Sequence, residues 1–442
     1  MKKEYLYLII AFTLLTVKVL TAQSTFSLEQ AIDYALENNI EIKNAQLALD
    51  DADAQISERL SIGLPKVNGS VEFNHYPQVP KQALPDEFAQ AFMLPPGEGQ
   101  EVSFLLKNNF TAGVNASSLI FDGTYLTGVK AARLLKEYTE MQLKTQEQKT
   151  HNSVVDAYLP SLLIKESIKT LEKNITNLEV TLFETQEIYK AGFAEQLDVD
   201  RLELSLANLT TDLENLYEQN TIAINALKFT LNYPMDKELT LEDNIESLLV
   251  EANNDQLTEQ IQYLNRAEFR VAEIGLKLGE LNIEQYERGY WPSLAAFASY
   301  QYQYQGDNFT DGFWAPTFVI GANINVPIFD GFEKRAKKER AQIELTQNIN
   351  SKMLLANLIK LEVENARKAY LQARKRLTSQ EKNLALAERI YETTKIKYKE
   401  GVGSSLEVSQ SEQALYQTQQ NKIQAMFDLL NAKVALEQAL GY

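Results

Sequence analysis

Four short stretches of this chain alternate apolar and uncharged polar side chains, and no other feature restricts its folding so tightly. The clearest is "SYQYQYQGD", where Tyr300, Tyr302 and Tyr304 interleave with Ser299, Gln301, Gln303 and Gln305. Period two predicts a strand, because successive strand side chains point to opposite faces. Strands are predicted at about residues 67–75, 110–120, 294–304 and 317–328. In the first, Val67, Gly69, Val71, Phe73 and His75 oppose Asn68, Ser70, Glu72 and Asn74. In the second, Phe110, Ala112, Val114, Ala116, Ser118 and Ile120 oppose Thr111, Asn115 and Ser117. The third runs back to Leu294, with Ala296, Ala298 and the tyrosines on one face. The fourth sets Phe318, Ile320, Ala322, Ile324, Val326 and Ile328 against Thr317, Asn323 and Asn325.

Two environments fit such strands. One is a soluble sheet with its apolar face against helices. The other is a membrane barrel with lipid on that face and water on the other. Amides in place of Lys and Glu on the polar faces favour the barrel, as does strand length, about 9–12 residues each. Tyr300, Tyr302, Tyr304 and Phe318 are then expected to face lipid, and Gln301, Gln303, Asn323, Asn325 and Asn115 to line a lumen. Four strands close nothing, and open edges are not tolerated in hydrocarbon. A dimer would supply eight strands and a trimer twelve. Eight leave an interior filled by side chains, so an open conduit implies the trimer.

The chain is also duplicated. "IFDGTYLTGVKAA" from Ile120 matches "IFDGFEKRAKKER" from Ile328, and "YKAGFAEQLDV" from Tyr189 matches "YKEGVGSSLEV" from Tyr398, at offsets of 208 and 209. Upstream, "NNIEIKNAQLAL" from Asn38 matches "NRAEFRVAEIGL" from Asn265 at 227, so the first copy is 19 residues longer. The extra length falls in the Pro-rich "HYPQVPKQALPDEFAQAFMLPPGEGQ", which reads as a loop. Each copy reads helix, strand, loop, strand, long helix, tight turn, long helix. First helices are expected at about 28–60 and 257–289, and long hairpins at about 125–231 and 332–440. Each outgoing helix would reach roughly 100 Å, the length of a coiled coil. Pro160 predicts a kink in the first of them. The copies span residues 23–255 and 256–442, and the connecting segment 232–255 should sit outside the long bundle.

Composition narrows the function. Cysteine is absent, which removes disulfides, thiol nucleophiles and acylated lipoprotein termini. A net charge of −17 argues against nucleic acid as a partner. Lys2 and Lys3 precede an apolar run interrupted at Lys18, and Ala22 offers a small residue for cleavage. Residues 1–22 therefore read as a signal peptide, the alternative being an N-terminal anchor. No catalytic constellation emerges: His75 lies at a strand end, His151 within a long helix, and no phosphate-binding loop is present. No cofactor or metal is expected, and the chain does not read as an enzyme.

With these residues in view, the sequence resembles the TolC-like outer membrane efflux proteins. "PIFDGFEKRAKKERAQIELTQ", "YKAGFAEQLDVDRLELSLANL" and "YKEGVGSSLEVSQSEQALYQT" carry the resemblance, with the opening "FSLEQAIDYALENNIEIKNAQLALDDADAQISERLSIGLPKV". It covers the mature chain in both copies. It implies a homotrimer with one 12-stranded barrel in the outer membrane, continuous with a 12-helix tunnel in the periplasm and a mixed equatorial belt. It implies a periplasmic adaptor and an inner-membrane transporter as partners, and a passive, gated exit duct serving efflux or type I secretion.

The hairpins turn at Ala191-Gly192-Phe193 and Glu400-Gly401-Val402-Gly403, where glycine suits a left-handed residue ending a helix. The resemblance makes Gly192, Phe193, Leu197, Gly401, Val402 and Leu406 the adaptor-contacting tips. Behind them, Asp198, Asp200 and Glu407 would form acidic rings under threefold symmetry; as single residues they would cap the following helices. Tyr398 matches a family position that helps to hold the mouth shut. Gly403 and Gln410 depart from the gate-locking arginine and pore-facing aspartate of some members, so the lock differs in detail. Two other readings are a periplasmic coiled-coil scaffold and the adaptor itself, which would need lipoyl-like and barrel domains that this chain lacks. The cargo is not legible.

Overall fold

A computed structural model describes residues 24–83, 101–103, 105–250 and 260–442. The leader at 1–22, most of the Pro-rich insert and residues 251–259 lie outside the described residues. The chain divides into two compact units, one of residues 50–138 and 274–349 and the other of the remainder.

The first unit holds the sheet. Strands β2 (Lys66–His75), β5 (Asn108–Phe121), β7 (Ser293–Gly306) and β8 (Phe313–Asn325) pair antiparallel in that order. The register puts every predicted apolar set on one side: Val71 faces Ala112, which faces Tyr302, and Val67, Ala116, Ala298 and Ile320 form another row. A slip of one residue would send each set to the wrong face. Two short strands, β3 (Gln82–Ala83) and β4 (Glu101–Val102), close the described ends of the insert.

The sheet departs from the expected strands in two places. A bulge between Leu119 and Phe121 leaves Ile120 unpaired and brings Phe121 opposite Leu294, so Phe121 takes the apolar face. The fourth strand starts four residues early and ends three early. Pro316 is accommodated because β8 is an edge strand of the protomer, and Pro327 has no amide to extend the ladder.

Most of the remaining described chain is helical. Helices α1 (Leu28–Asn38) and α2 (Ile40–Ser61) replace the single first helix expected, because Asn39 is extended at ψ 131° and its side chain caps α2 through the Glu41 amide at 2.8 Å. The corresponding helix of the second copy, α6 (Ala267–Arg288), begins ten residues later than expected, after a 3-10 turn at Tyr263–Asn265. The hairpins are α3 (Gly123–Lys190) with α4 (Gln196–Leu231), and α7 (Glu333–Lys399) with α8 (Ser405–Leu440). Helix α3 runs through Pro160 without interruption, with Leu159 and Leu162 buried on either side and Ser161 Oγ donating to the Ala157 carbonyl. Tertiary packing on both flanks holds the helix where its local sequence would break it.

The segment joining the copies packs on these helices. Its strand β6 (Leu239–Leu241) pairs parallel with β1 (Ser24–Phe26), followed by helix α5 (Ile245–Val250). Leu239, Leu241 and Ile245 share a core with Val154, Leu162, Leu231 and Leu430. Asp243 accepts from the Leu28 amide at 2.7 Å, and the Tyr158 hydroxyl lies 2.9 Å from the same carboxylate.

Candidate functional site

The two faces of the sheet differ in chemistry along their whole length. On one, Val67, Val71, Val114, Ile320 and Ile324 stand exposed, Ile320 to 75% and Phe318 to 67%. Tyr300 and Tyr302 share this exposure. Tyr304 does not: it lies on the same face at 5% exposure, its hydroxyl bonded to the Asn308 carbonyl under the β7–β8 turn. Its expected exposed position is corrected by that turn folding back over the ring.

Aromatic rings gather at both ends of this apolar band. At the β7–β8 turn, Trp314 packs on Tyr302 at 5.0 Å, Tyr304 at 5.1 Å and Phe110 at 5.9 Å, and Phe73 stacks on Phe309. At the other end, Phe121 stacks on Trp291 with Arg288 above it, and Lys334 sits over Tyr290. The chain has two tryptophans, one at each end of β7. Sequence reasoning missed both, although their spacing around a single strand was the available signal.

Exposing eleven large apolar side chains on one face of one sheet is costly in water. At half exposure each forgoes about 1 kcal/mol, so roughly 10 kcal/mol is at stake, as much as the whole stability of an ordinary domain. Lateral hydrogen bonds run along the opposite face. Ser299 Oγ donates to Asn115 Oδ1 at 2.6 Å, Gln303 Nε2 to Gln301 Oε1 at 3.1 Å and Asn74 Nδ2 to Glu72 Oε1 at 2.8 Å. Asn323 and Asn325 extend this face on β8 and are exposed. Among the described residues no helix is long and apolar enough to cross a membrane, and no cluster of three metal-ligating side chains occurs.

The hairpin turns form the second candidate surface. Gly192 at φ 81° and Gly401 at φ 75° end α3 and α7 in the left-handed region. The next amide of each bonds five residues back, Phe193 to Ile188 and Val402 to Lys397, the pattern of a Schellman close. Such a close usually covers its apolar residue. Here Phe193 is 86% exposed and Val402 78%, with Leu197 and Leu406 also exposed.

The predicted gate residues divide. Asp198 accepts from the Glu195 amide at 3.1 Å and from the Ser405 hydroxyl of the other hairpin, which Arg201 also approaches at 3.3 Å. Asp200 accepts from Gln196 on its own helix. Glu407 forms a capping box with Ser404, so within the protomer its carboxylate serves the start of α8. The Tyr398 hydroxyl is buried without a hydrogen-bond partner, and burial raises its pKa despite the nearby Thr185 hydroxyl. Lys399 pairs with Glu184 at 2.8 Å. Arg201, Ser405, Glu184 and Lys399 were not singled out from sequence, because each acts across hairpins.

A family model described as outer membrane efflux protein matches residues 31–232 and 260–442 of this chain. The pyoverdine export outer membrane protein OpmQ of Pseudomonas aeruginosa is 25% identical over 339 residues, which is 76% of this chain and 70% of that protein. A probable efflux pump outer membrane protein of Pseudomonas putida, TtgC, is 22% identical over 423 residues, 94% of this chain and 83% of its own. Among solved structures, CusC superposes with a TM-score of 0.74 at 19% identity, covering 94% of this chain and 92% of CusC. VceC of Vibrio cholerae gives 0.69 at 17%, covering 94% and 96%.

Proposed function

The chain belongs to the outer membrane efflux protein family, and we propose that three copies of it assemble one gated exit duct across the outer membrane. The uncovered apolar face between two aromatic bands carries this reading, because its residues need hydrocarbon and its ends need headgroups. Three sheets of four strands close a 12-stranded barrel with the amide face inward and water within it. Uncharged amides wet the wall yet hold cargo weakly, as a conduit requires.

The helical hairpins extend this duct into the periplasm. Phe193 and Val402, with Leu197 and Leu406, receive a periplasmic adaptor that delivers cargo from an inner-membrane transporter. Transport is passive in this chain. Asp198, Asp200, Glu407 and Tyr398 narrow the mouth, and three copies of each acid favour cations there. The names of the relatives support small organic molecules as cargo over secreted proteins.

Planar-bilayer recording of the mature chain tests the reading, together with heat-modifiable migration in gels. A heat-sensitive trimer that needs detergent for extraction and opens discrete pores is expected. A protein released without detergent as a monomer, with no conductance, would establish the coiled-coil scaffold in its place.

A further inference from the structure

Behind the hairpin turns the long helices meet through buried and half-buried polar side chains, and one of these is a carboxyl. Glu412 on α8 is 2% exposed. Its Oε1 lies 2.8 Å from the Tyr416 hydroxyl on the same helix, and the buried Tyr391 of α7 is its electrostatic neighbour. The Tyr416 hydroxyl is also 3.3 Å from the main-chain carbonyl oxygen of Asn174 on α3. The Asn174 amide donates to Gln419 Oε1 at 2.8 Å, and Thr181 of the same helix is buried. The group therefore joins the outgoing helix of the first hairpin to both helices of the second.

Counting protons shows what this group can do. Tyr416 has one hydroxyl hydrogen, and the Asn174 carbonyl can only accept. An ionised Glu412 can also only accept, so it takes the Tyr416 proton and leaves the carbonyl without it. A protonated Glu412 donates to the Tyr416 oxygen and frees that proton for Asn174. Only the neutral carboxyl completes the chain Glu412–Tyr416–Asn174 between hairpins.

The surroundings favour the neutral form. Burial raises the carboxyl pKa, against the opposing pull of Tyr416, Lys395 and Tyr391. Lys395, with Tyr391 and the more distant Glu392, comes from α7. Helix α3 contributes neutral Asn174 and Thr181, and α4 lines the adjoining groove with Asp212.

We propose that Glu412 is a proton-operated latch that ties the first hairpin to the second when protonated and frees them when ionised. The sign follows from the raised pKa. The packed state prefers the proton, so the grip is complete below the ordinary glutamate value of 4.5 and is lost as pH rises through the raised one. The latch stands on contacts within one protomer and holds whether or not the chain conducts.

Amide hydrogen exchange of the mature chain in detergent, corrected for the intrinsic pH dependence, tests this over residues 170–180 and 408–420. In the wild type, opening of these segments should increase by up to about tenfold per pH unit between 4.5 and the raised value, then level off. Glu412→Gln mimics the neutral acid and should hold both segments closed with no such slope. Should Glu412→Gln fail to fold, Glu412→Met, of similar size and without a proton to lose, should also be flat. A wild type without the slope, or either variant retaining it, would overturn the latch.

Discussion

Ile320→Lys is the sharpest perturbation of the sheet. Ile320 pairs with Ala298 on the apolar face, roughly midway between the Trp314 and Trp291 clusters, and 75% of its surface is uncovered in the protomer. A lysine at the middle of a lipid-facing band costs about 2–4 kcal/mol. That corresponds to roughly 30- to 700-fold in the folding equilibrium of each protomer, at 1.4 kcal/mol per tenfold. Three protomers carry the substitution at once, so the assembled barrel loses roughly 6–12 kcal/mol, within the range of a whole domain's stability. Thr317→Lys is the matched control: three residues away on the same strand, opposite Gln301 on the amide face, it places the same charge in water and should cost less than about 0.5 kcal/mol. The assay is refolding into lipid vesicles against urea, read by heat-modifiable mobility. Equal tolerance of the two lysines, or greater damage from Thr317→Lys, would refute the assignment of faces.

Charge and capping at Glu407 can be separated, because Gln keeps the capping-box acceptor whereas Ala removes it. Tyr398→Phe combined with Glu407→Gln should raise single-channel conductance without lowering the melting temperature, and Glu407→Ala should lower stability by about 1 kcal/mol in addition. Gly401→Ala forces a side chain into φ 75° and should cost about 1–2 kcal/mol in urea unfolding, whereas Gly275→Ala, with open space at its Cβ inside a helix, should stabilise by about 0.5–1 kcal/mol. Phe193→Ser with Val402→Ser should leave trimer and conductance intact while abolishing efflux in a complementation assay, since both side chains are solvent-exposed at the tips.

Sequence carried the sheet well because a strand's face is a matter of parity. Once Tyr300 and Gln301 are on opposite sides, the register that pairs Tyr300 with Val114 and Phe318, and Ser299 with Asn115, settles the face of each partner. Parity fails where the count changes, at the Leu119/Phe121 bulge, and where the chain folds back, at Tyr304. Helix ends were harder. Asn39 breaks the first helix inside an unbroken helical pattern, since its side chain offers the following amides a local partner that the hydrophobic period does not register. Pro160 shows the reverse, a local breaker overridden by burial on both sides.

The polar residues between hairpins expose a different limit. Many of their bonds join positions close to one repeat length apart: Asp198 with Ser405, Arg201 with Ser405, and Glu184 with Lys399 are separated by 207, 204 and 215 residues. Duplication therefore placed like segments side by side, and the offset of 209 was itself a contact map. What it could not supply was environment. One repeat length before the buried Glu412 stands Glu203, exposed and accepting from Gln186 on its own hairpin. The residue type is the same at both positions. Only the helix packed opposite makes one a solvated surface acid and the other a buried proton store, and that difference arises from which face of each hairpin its twin covers.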